Sequence, residues 1–237
     1  MDNAIYTTLT RQSGLMREMQ VVANNISNVS TAGFRKEGII FSEYISALSG
    51  EEPSLSMAYA NGREISQLQG ALTATGNSHD FAIEGDGFFL IETPQGDQLS
   101  RAGSFSPSAE GELVTQDGYR VLDSGGGPIF IPPEGALAVA ADGTMSVNGA
   151  PIAQLGIYTP ADPNGLIHVG GTRFRTEEAP LPADNPTVLQ GFIEESNVDP
   201  LTEVARMIEV QRAYEMGQKF LDREDERIRS VVSSLVK

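Results

Sequence analysis

Few residues in this chain have the types and spacing that chemistry requires. Its 237 residues hold two histidines, no cysteine and no tryptophan. The lack of cysteine removes thiol nucleophiles, disulfide scaffolds and Cys-ligated zinc together. His79 and His168 stand far apart in sequence with no partner ligand at metal spacing, which favours surface or structural histidines over catalytic ones. Ser124-Gly125-Gly126-Gly127 lacks the Lys-Ser/Thr that completes a phosphate loop and reads as a flexible loop. Gly85-Asp86-Gly87 fits neither a dinucleotide fingerprint nor a calcium loop, and Asp162-Pro163-Asn164-Gly165 lacks the alternating acids and closing Glu of a calcium hand. Glu194-Glu195 could supply half of a glycosidase carboxylate pair, but nothing locates the other half. The sequence therefore predicts no catalytic residue, no metal site and no cofactor, and the chain is not expected to be an enzyme.

Charge narrows the partners. The chain carries 16 Lys+Arg against 32 Asp+Glu, a net charge of -16. A surface this acidic repels phosphate backbones, which excludes nucleic acid bound through a general basic face. The average hides a split. Residues 1–40 carry three acids and four bases, and residues 200–237 carry seven of each. The middle, 41–199, holds 22 acids and five bases, a net of -17. An acidic middle suits a solvent-facing domain kept apart by self-repulsion, and near-neutral ends suit surfaces that pack against copies of themselves. No stretch reaches the roughly 18 apolar residues of a membrane span. The N-terminus lacks a basic cluster followed by an apolar run, so no cleaved secretory signal is expected. A cytosolic chain and a chain exported without cleavage would both look like this.

The elements behind these features are helical at the ends and β in the middle. Ile5, Leu9, Gln12, Met16, Met19, Ala23 and Ile26 recur at alternating steps of four and three, a coiled-coil stripe. Asp2 or Asn3 can cap its start, and Gly33 is a plausible terminator. Asp199-Pro200 marks a second helix start. From it a stripe runs Val204, Met207, Gln211, Tyr214, Gln218, Leu221, Asp225, Ile228, Val232, Leu235. The slot holding Met207, Tyr214, Leu221, Ile228 and Leu235 is apolar throughout; the other holds Gln211, Gln218 and Asp225. The ends can be two amphipathic helices packed on a core, or a helical hairpin with surface left over for neighbouring molecules. Their position, near-neutral charge and half-polar stripe favour the hairpin.

From Asp80 onward, short apolar runs alternate with glycine. Phe81-Ala82-Ile83 and Phe88-Phe89-Leu90-Ile91 flank Gly85-Asp86-Gly87, and the dipeptides Asp117-Gly118, Asp142-Gly143, Asn148-Gly149 and Asn164-Gly165 read as hairpin turns. The predicted fold class is α+β: terminal helices pairing as a coiled-coil hairpin around a central, mainly antiparallel β domain. The expected division is an N-terminal helix over 1–40, an extended linker over 41–79, a β domain over 80–175, a return linker over 176–190, and a C-terminal helical segment over 191–237. On residues alone, two functional classes compete: a structural subunit of a helical assembly, and a soluble acidic β-rich binding module or enzyme acting on a glycan.

Motifs in chain order add a resemblance. Ala23-Asn24-Asn25-Ile26-Ser27-Asn28-Val29 followed by Thr31-Ala32-Gly33-Phe34-Arg35-Lys36, Gly70-Ala71-Leu72 with Thr75-Gly76-Asn77, and Asp80 through Phe89 are three such pieces. Arg101-Ala102-Gly103-Ser104-Phe105, Gly111 through Thr115, Gln190-Gly191, Glu194 through Asp199, and Met207 through Glu215 complete the series. Together these resemble the flagellar basal-body rod and hook family of bacteria. The opening Met1 through Tyr6 and the modest length are similar to the family's proximal-rod members rather than its longer distal-rod members.

The resemblance implies export by the flagellar type III apparatus without a cleaved signal peptide, and assembly as a periplasmic rod in the flagellar basal body. The implied partners are other copies of the chain and neighbouring rod proteins, and the implied work is transmitting motor torque toward the hook. The subunit interface it points to comprises Ile5, Leu9, Met16, Met19, Ala23, Asn24, Asn25, Ile26 and Asn28 at one end. At the other it comprises Met207, Gln211, Tyr214, Leu221, Ile228 and Leu235. Within the run Asn24, Asn25, Ser27 and Asn28, short amides can donate and accept. They could tie the helix end to an adjacent subunit, or cap a fraying end of their own helix.

Overall fold

The computed structural model describes residues 2–46 and 55–235, with side chains from 5–41 and 62–235. The chain divides into two compact units. One comprises Met1–Ser27, Glu37–Glu64 and Asp199–Lys237, and the other Asn28–Lys36 and Ile65–Val198. Among the described residues no helix is long and apolar enough to cross a membrane.

The first unit holds two helices, α1 (Asp2–Ser27) and α2 (Pro200–Leu235), with a two-stranded ribbon of Glu37–Ser46 and Leu55–Ile65. The start of α2 is the one the sequence predicts. Pro200 takes the first helical position, where its missing N–H costs nothing. Asp199 Oδ1 accepts the Leu201 N–H at 3.1 Å. The 36 residues of α2 make it about 54 Å long at 1.5 Å per residue. α1 stops at Ser27, earlier than Gly33. In the second unit the Thr31 N–H donates to the Asn28 carbonyl at 3.1 Å, and Thr31 Oγ1 to Asn28 Oδ1 at 3.1 Å. This turn uses the groups that a further helical turn would have needed. Much of the expected 41–79 linker is paired strand. The weak alternation that hid it has a cause at Ile40 and Phe41, adjacent residues that are both exposed, so no face is distinguished by burial there.

The second unit is a β body whose strand pairs are all antiparallel among those with described register. Its main sheet has nine strands. Phe88–Thr93 lies inside that sheet and is buried at five of its six positions. Phe89 and Ile91 enter one apolar cluster with Phe105, Leu113 and Met145, while Phe88 and Leu90 enter another with Leu99 and Phe174. A strand covered on both faces reads as a continuous apolar run, as this one does. Asn148 and Gly149 both have positive φ, 52° and 81°, the turn that joins two strands through two residues. Asn164-Gly165 is not a hairpin turn. Pro163–Gly165 forms a single 3-10 turn, capped by Asp162 Oδ1 accepting the Asn164 N–H at 2.9 Å. Residues 176–190, expected as a linker, include Thr187–Gln190, which pairs with Phe81–Glu84. The next strand, Phe192–Glu194, pairs with Leu72–Ala74. Incoming and outgoing chain are thus zipped together.

Where they meet, the body is fastened by charge. Glu194 is 1% exposed. Its Oε1 lies 2.9 Å from Arg35 Nη2 and its Oε2 3.0 Å from Arg101 Nη1. The Gly70 N–H donates to Oε1 at 3.0 Å. The arginines are themselves held: Arg101 Nη1 donates to the Ile83 carbonyl at 3.0 Å, and Arg35 Nη1 to the Gln67 carbonyl at 3.0 Å. The backbones press equally close. A Cβ on Gly33 would stand 2.2 Å from Ala102 N, and one on Gly70 2.0 Å from the Glu195 carbonyl oxygen. Burial lowers the Arg101 guanidinium to about 10; Glu194 opposes that shift and the charge of Arg35 adds to it. Arg101 therefore stays a cation at neutral pH. Because the folded chain releases this proton first, the group favours folding only as pH climbs beyond about 10.

Removing the carboxylate leaves two buried cations without their counter-ion. Glu194→Gln is expected to lower folding stability by about 3–5 kcal/mol. Glu195 is exposed and accepts from Thr73 Oγ1 at 2.7 Å, and Glu195→Gln should change stability by no more than about 0.5 kcal/mol. Urea unfolding of the full chain, followed by circular dichroism, measures both.

Candidate subunit interface

α1 and α2 are joined by a ladder of polar contacts. Gln12 Nε2 donates to the Tyr214 carbonyl at 2.9 Å, Arg206 Nε to Glu18 Oε1 at 2.7 Å, and Asn25 Nδ2 to Glu203 Oε2 at 3.0 Å. Numbers rise along one helix as they fall along the other, so the pair is antiparallel. Gln12, Glu18, Asn25 and Glu203 are all buried, and a buried polar group that loses its partner costs about 1–3 kcal/mol. Sliding the helices by one residue would separate all of these pairs at once, which fixes the register. The hydrogen bond to Glu18 raises the Arg206 guanidinium above its usual range. Gly217 admits Gln12: a Cβ there would lie 2.1 Å from Gln12 Nε2.

This ladder divides the α1 stripe in two. Ile5, Met19 and Ile26 are half-buried and Gln12 is buried. Leu9, Met16 and Ala23 face outward, with Leu9 48% and Met16 41% exposed. On α2, Met207, Tyr214 and Leu221 are half-buried. The slot that completes their seam is Glu203, Val210, Gly217 and Glu224, each buried or half-buried. The expected slot of Val204, Gln211, Gln218 and Asp225 is exposed instead. Hydrophobic periodicity misses the true slot because only Val210 in it is apolar. Its one available signal is Gly217, the only glycine in the 36 residues of α2, a residue that weakens a helix interior unless close approach requires it. Beyond Glu224 every described α2 residue is exposed, Ile228 at 44% and Leu235 at 79% among them.

The asparagine run resolves into local roles. Asn25 is 1% exposed. It accepts the Glu37 N–H at 2.9 Å and donates to the Glu37 carbonyl at 2.8 Å. Its side chain acts as a missing strand neighbour for Glu37, and with Glu203 its bonding capacity is used inside its own chain. Asn24 and Asn28 are half-buried; the Asn24 carbonyl accepts Ser27 Oγ at 2.8 Å, and Asn28 caps the turn at Thr31. Glu194 is locked between Arg35 and Arg101 and is not free to act as a glycosidase acid. His168 packs its ring 5.5 Å from that of Phe174, a structural placement.

Comparison with known proteins places these features. Residues 5–35 match the family described as flagella basal body rod protein, 82–147 the flagellar hook protein FlgE/F/G D1 domain, and 189–235 the flagellar basal body rod FlgEFG protein C-terminal family. The chain is 38% identical to the flagellar basal-body rod protein FlgF of Caulobacter vibrioides, over 100% of this chain and 99% of that one. It is 36% identical to FlgF of Mesorhizobium japonicum over 91% of this chain and 90% of the relative. With the basal-body rod protein FlgG of Bacillus subtilis it shares 31% identity over 97% of this chain and 98% of the relative. The chain belongs to the flagellar basal-body rod protein family. This is a structural family, and the glycan-enzyme alternative falls away. The rod-protein segment ends at Arg35 and the C-terminal segment contains Glu194, so the buried ion pair joins residues from the two terminal family segments.

The ladder makes Asn25 a sensitive position of α1. Asn25→Ala removes three buried hydrogen bonds, two to the Glu37 backbone and one to Glu203, and should lower stability by about 1–3 kcal/mol. Ser13→Ala, at an exposed site, should stay within about 0.5 kcal/mol. Hydrogen exchange of the α1 and α2 amides should show faster opening for the first variant only.

Proposed function

We propose that this chain is a structural subunit of the proximal flagellar rod, exported by the flagellar type III apparatus without cleavage and assembled in the periplasm. Its partners are copies of itself and neighbouring rod proteins, and its work is to carry motor torque toward the hook. The observation that carries this reading is similarity along the whole chain to FlgF proteins, 38% for the Caulobacter protein. The lower 31% identity to a FlgG protein supports the proximal position. The terminal segments, 1–40 and 191–237, pair as a coiled-coil hairpin and supply the inner tube. The β-rich middle spans 80–175, flanked by 41–79 and 176–190. Ile5, Met19, Ile26, Met207, Tyr214 and Leu221 hold the hairpin together, while Leu9, Met16, Ala23, Gln211, Ile228 and Leu235 face neighbouring subunits. The lack of cysteine suits assembly in an oxidising compartment.

Deleting the gene in its host should abolish swimming and leave basal bodies whose rods stop short in electron micrographs. The intact gene should restore both. A Leu9→Asp/Met16→Asp version should fold, since both side chains are exposed, yet fail to restore rods. Normal rods after deletion would overturn the rod function, and rescue by the double variant would overturn the assignment of that face.

A further inference from the structure

The β body holds a cleft of about 440 Å³ that takes no part in the ion-pair cluster or the helix ladder. Its walls come mainly from four stretches of the second unit. These are residues 30–32 after α1, the chain between the strands Gly96–Ser100 and Phe105–Pro107, the turn that follows Leu113–Thr115, and the start of Arg173–Thr176. A space of this size suits a small ligand.

The lining is rich in hydroxyls. Ser30, Thr31, Ser104 and Thr115 contribute them, Asp117 adds a carboxylate and Arg173 a guanidinium. Several are fixed by neighbours. Ser104 Oγ donates to Asp80 Oδ1 at 3.0 Å and accepts from Gln116 Nε2 at 3.2 Å. Thr115 Oγ1 accepts the Tyr119 N–H at 3.1 Å, which leaves its O–H to donate. Thr31 Oγ1 donates to Asn28 Oδ1, which leaves its lone pairs to accept. Such groups complement a polyol, whose hydroxyls also donate and accept.

Arg173 is the unusual member. The chain has 32 acids to 16 bases, and the buried arginines Arg35 and Arg101 each face a carboxylate. Among the described residues Arg173 makes no ion pair, not even with Asp117 in the same lining. Its Cζ lies 4.7 Å from the centre of the Tyr119 ring, a stack that holds the guanidinium plane. Nη1 reaches Gln98 Oε1 only at 3.5 Å. Nε is buried and donates to nothing. A buried N–H without an acceptor is rare in folded chains. A planar fork held in this way matches a carboxylate. With one acid beside the one cation in the lining, a dianion such as a phosphate monoester is disfavoured against a singly charged carboxylate.

We propose that this cleft binds a sugar acid, its carboxylate pairing with Arg173 and its ring hydroxyls with Thr31, Ser104 and Thr115. The site lies in the β body, and it neither depends on the rod reading nor supports it. A free sugar acid and an acidic sugar within a glycan chain present the same chemistry.

Amide NMR of the full-length chain tests the site, with glucuronate as probe and glucose as its uncharged counterpart. Glucuronate should give saturable shifts at residues 30–32, 115–118 and 171–173, and glucose should bind at least about tenfold more weakly. Arg173→Gln should weaken glucuronate by at least about tenfold. Asp117→Asn, at an exposed position, should tighten it about two- to fivefold by removing a like charge. That gain decides the matter even if Arg173→Gln disturbs the fold. Arg175→Gln, exposed and outside the cleft, should leave binding unchanged. No saturable shift with glucuronate on the order of 50 mM would overturn the proposal. So would an equal response to glucose, or an equal loss in Arg175→Gln. An oligosaccharide of alternating glucuronate residues separates the two sources. Tighter binding than the monomer upholds the site as one for a glycan chain, and binding no tighter upholds it as one for the free sugar acid.

Discussion

A single buried carboxylate holds the β body to the chain that enters and leaves it. Glu194 faces Arg35 from the segment after α1, Arg101 just past the strand Gly96–Ser100, and the Gly70 N–H just before the strand Leu72–Ala74. Taking charges out of water is expensive, and the cost is recovered only when geometry and hydrogen bonding are complete. That requirement is met only in part, since Arg35 Nε and Arg101 Nε are buried without a hydrogen-bond partner. The arginines spend further N–H groups on the carbonyls of Ile83 and Gln67. Gly33 and Gly70 occur where backbones approach too closely for a Cβ. Four separate stretches of sequence, around Arg35, Gly70, Arg101 and Glu194, are thus obliged to meet at one point.

The helical unit follows a different rule. Its internal contacts combine a polar ladder, Gln12, Glu18, Asn25, Arg206 and Glu203, with the buried apolar side chains of Val21, Val22 and Val210. Apolar side chains that would ordinarily fill a helix seam are left outside, at Leu9, Met16, Val204, Ile208 and Val232. A polar ladder selects one register, whereas an apolar one tolerates several. The pairing inside the chain is specified by hydrogen bonds, and much apolar area is kept available.

Much of this was legible in the residues. The two helices, the cap at Asp199-Pro200, the antiparallel β middle and the turn at Asn148-Gly149 all follow from spacing and turn chemistry, which are local. The ribbon after α1 was not legible. Ile40 and Phe41 are adjacent and both exposed, so burial leaves no alternation to read there. The α2 slot of Glu203, Val210, Gly217 and Glu224 was missed for a related reason: it is a contact made by hydrogen bonds and by the absence of a side chain, and hydropathy registers neither. Asn25 was singled out by its type, but its partner, the backbone of Glu37, carries no sequence signature.

The sequence by itself determined the family, the element types and the excess of apolar stripe over what one hairpin needs, because motif order, periodicity and composition are properties of the chain. Tertiary structure alone decided which half of each stripe turns inward, where α1 ends against α2, and that Arg35, Arg101 and Glu194 form one cluster. Those outcomes depend on which groups far apart in sequence can satisfy each other's charge and hydrogen bonds at contact distance. Only folding brings them within 3 Å of each other.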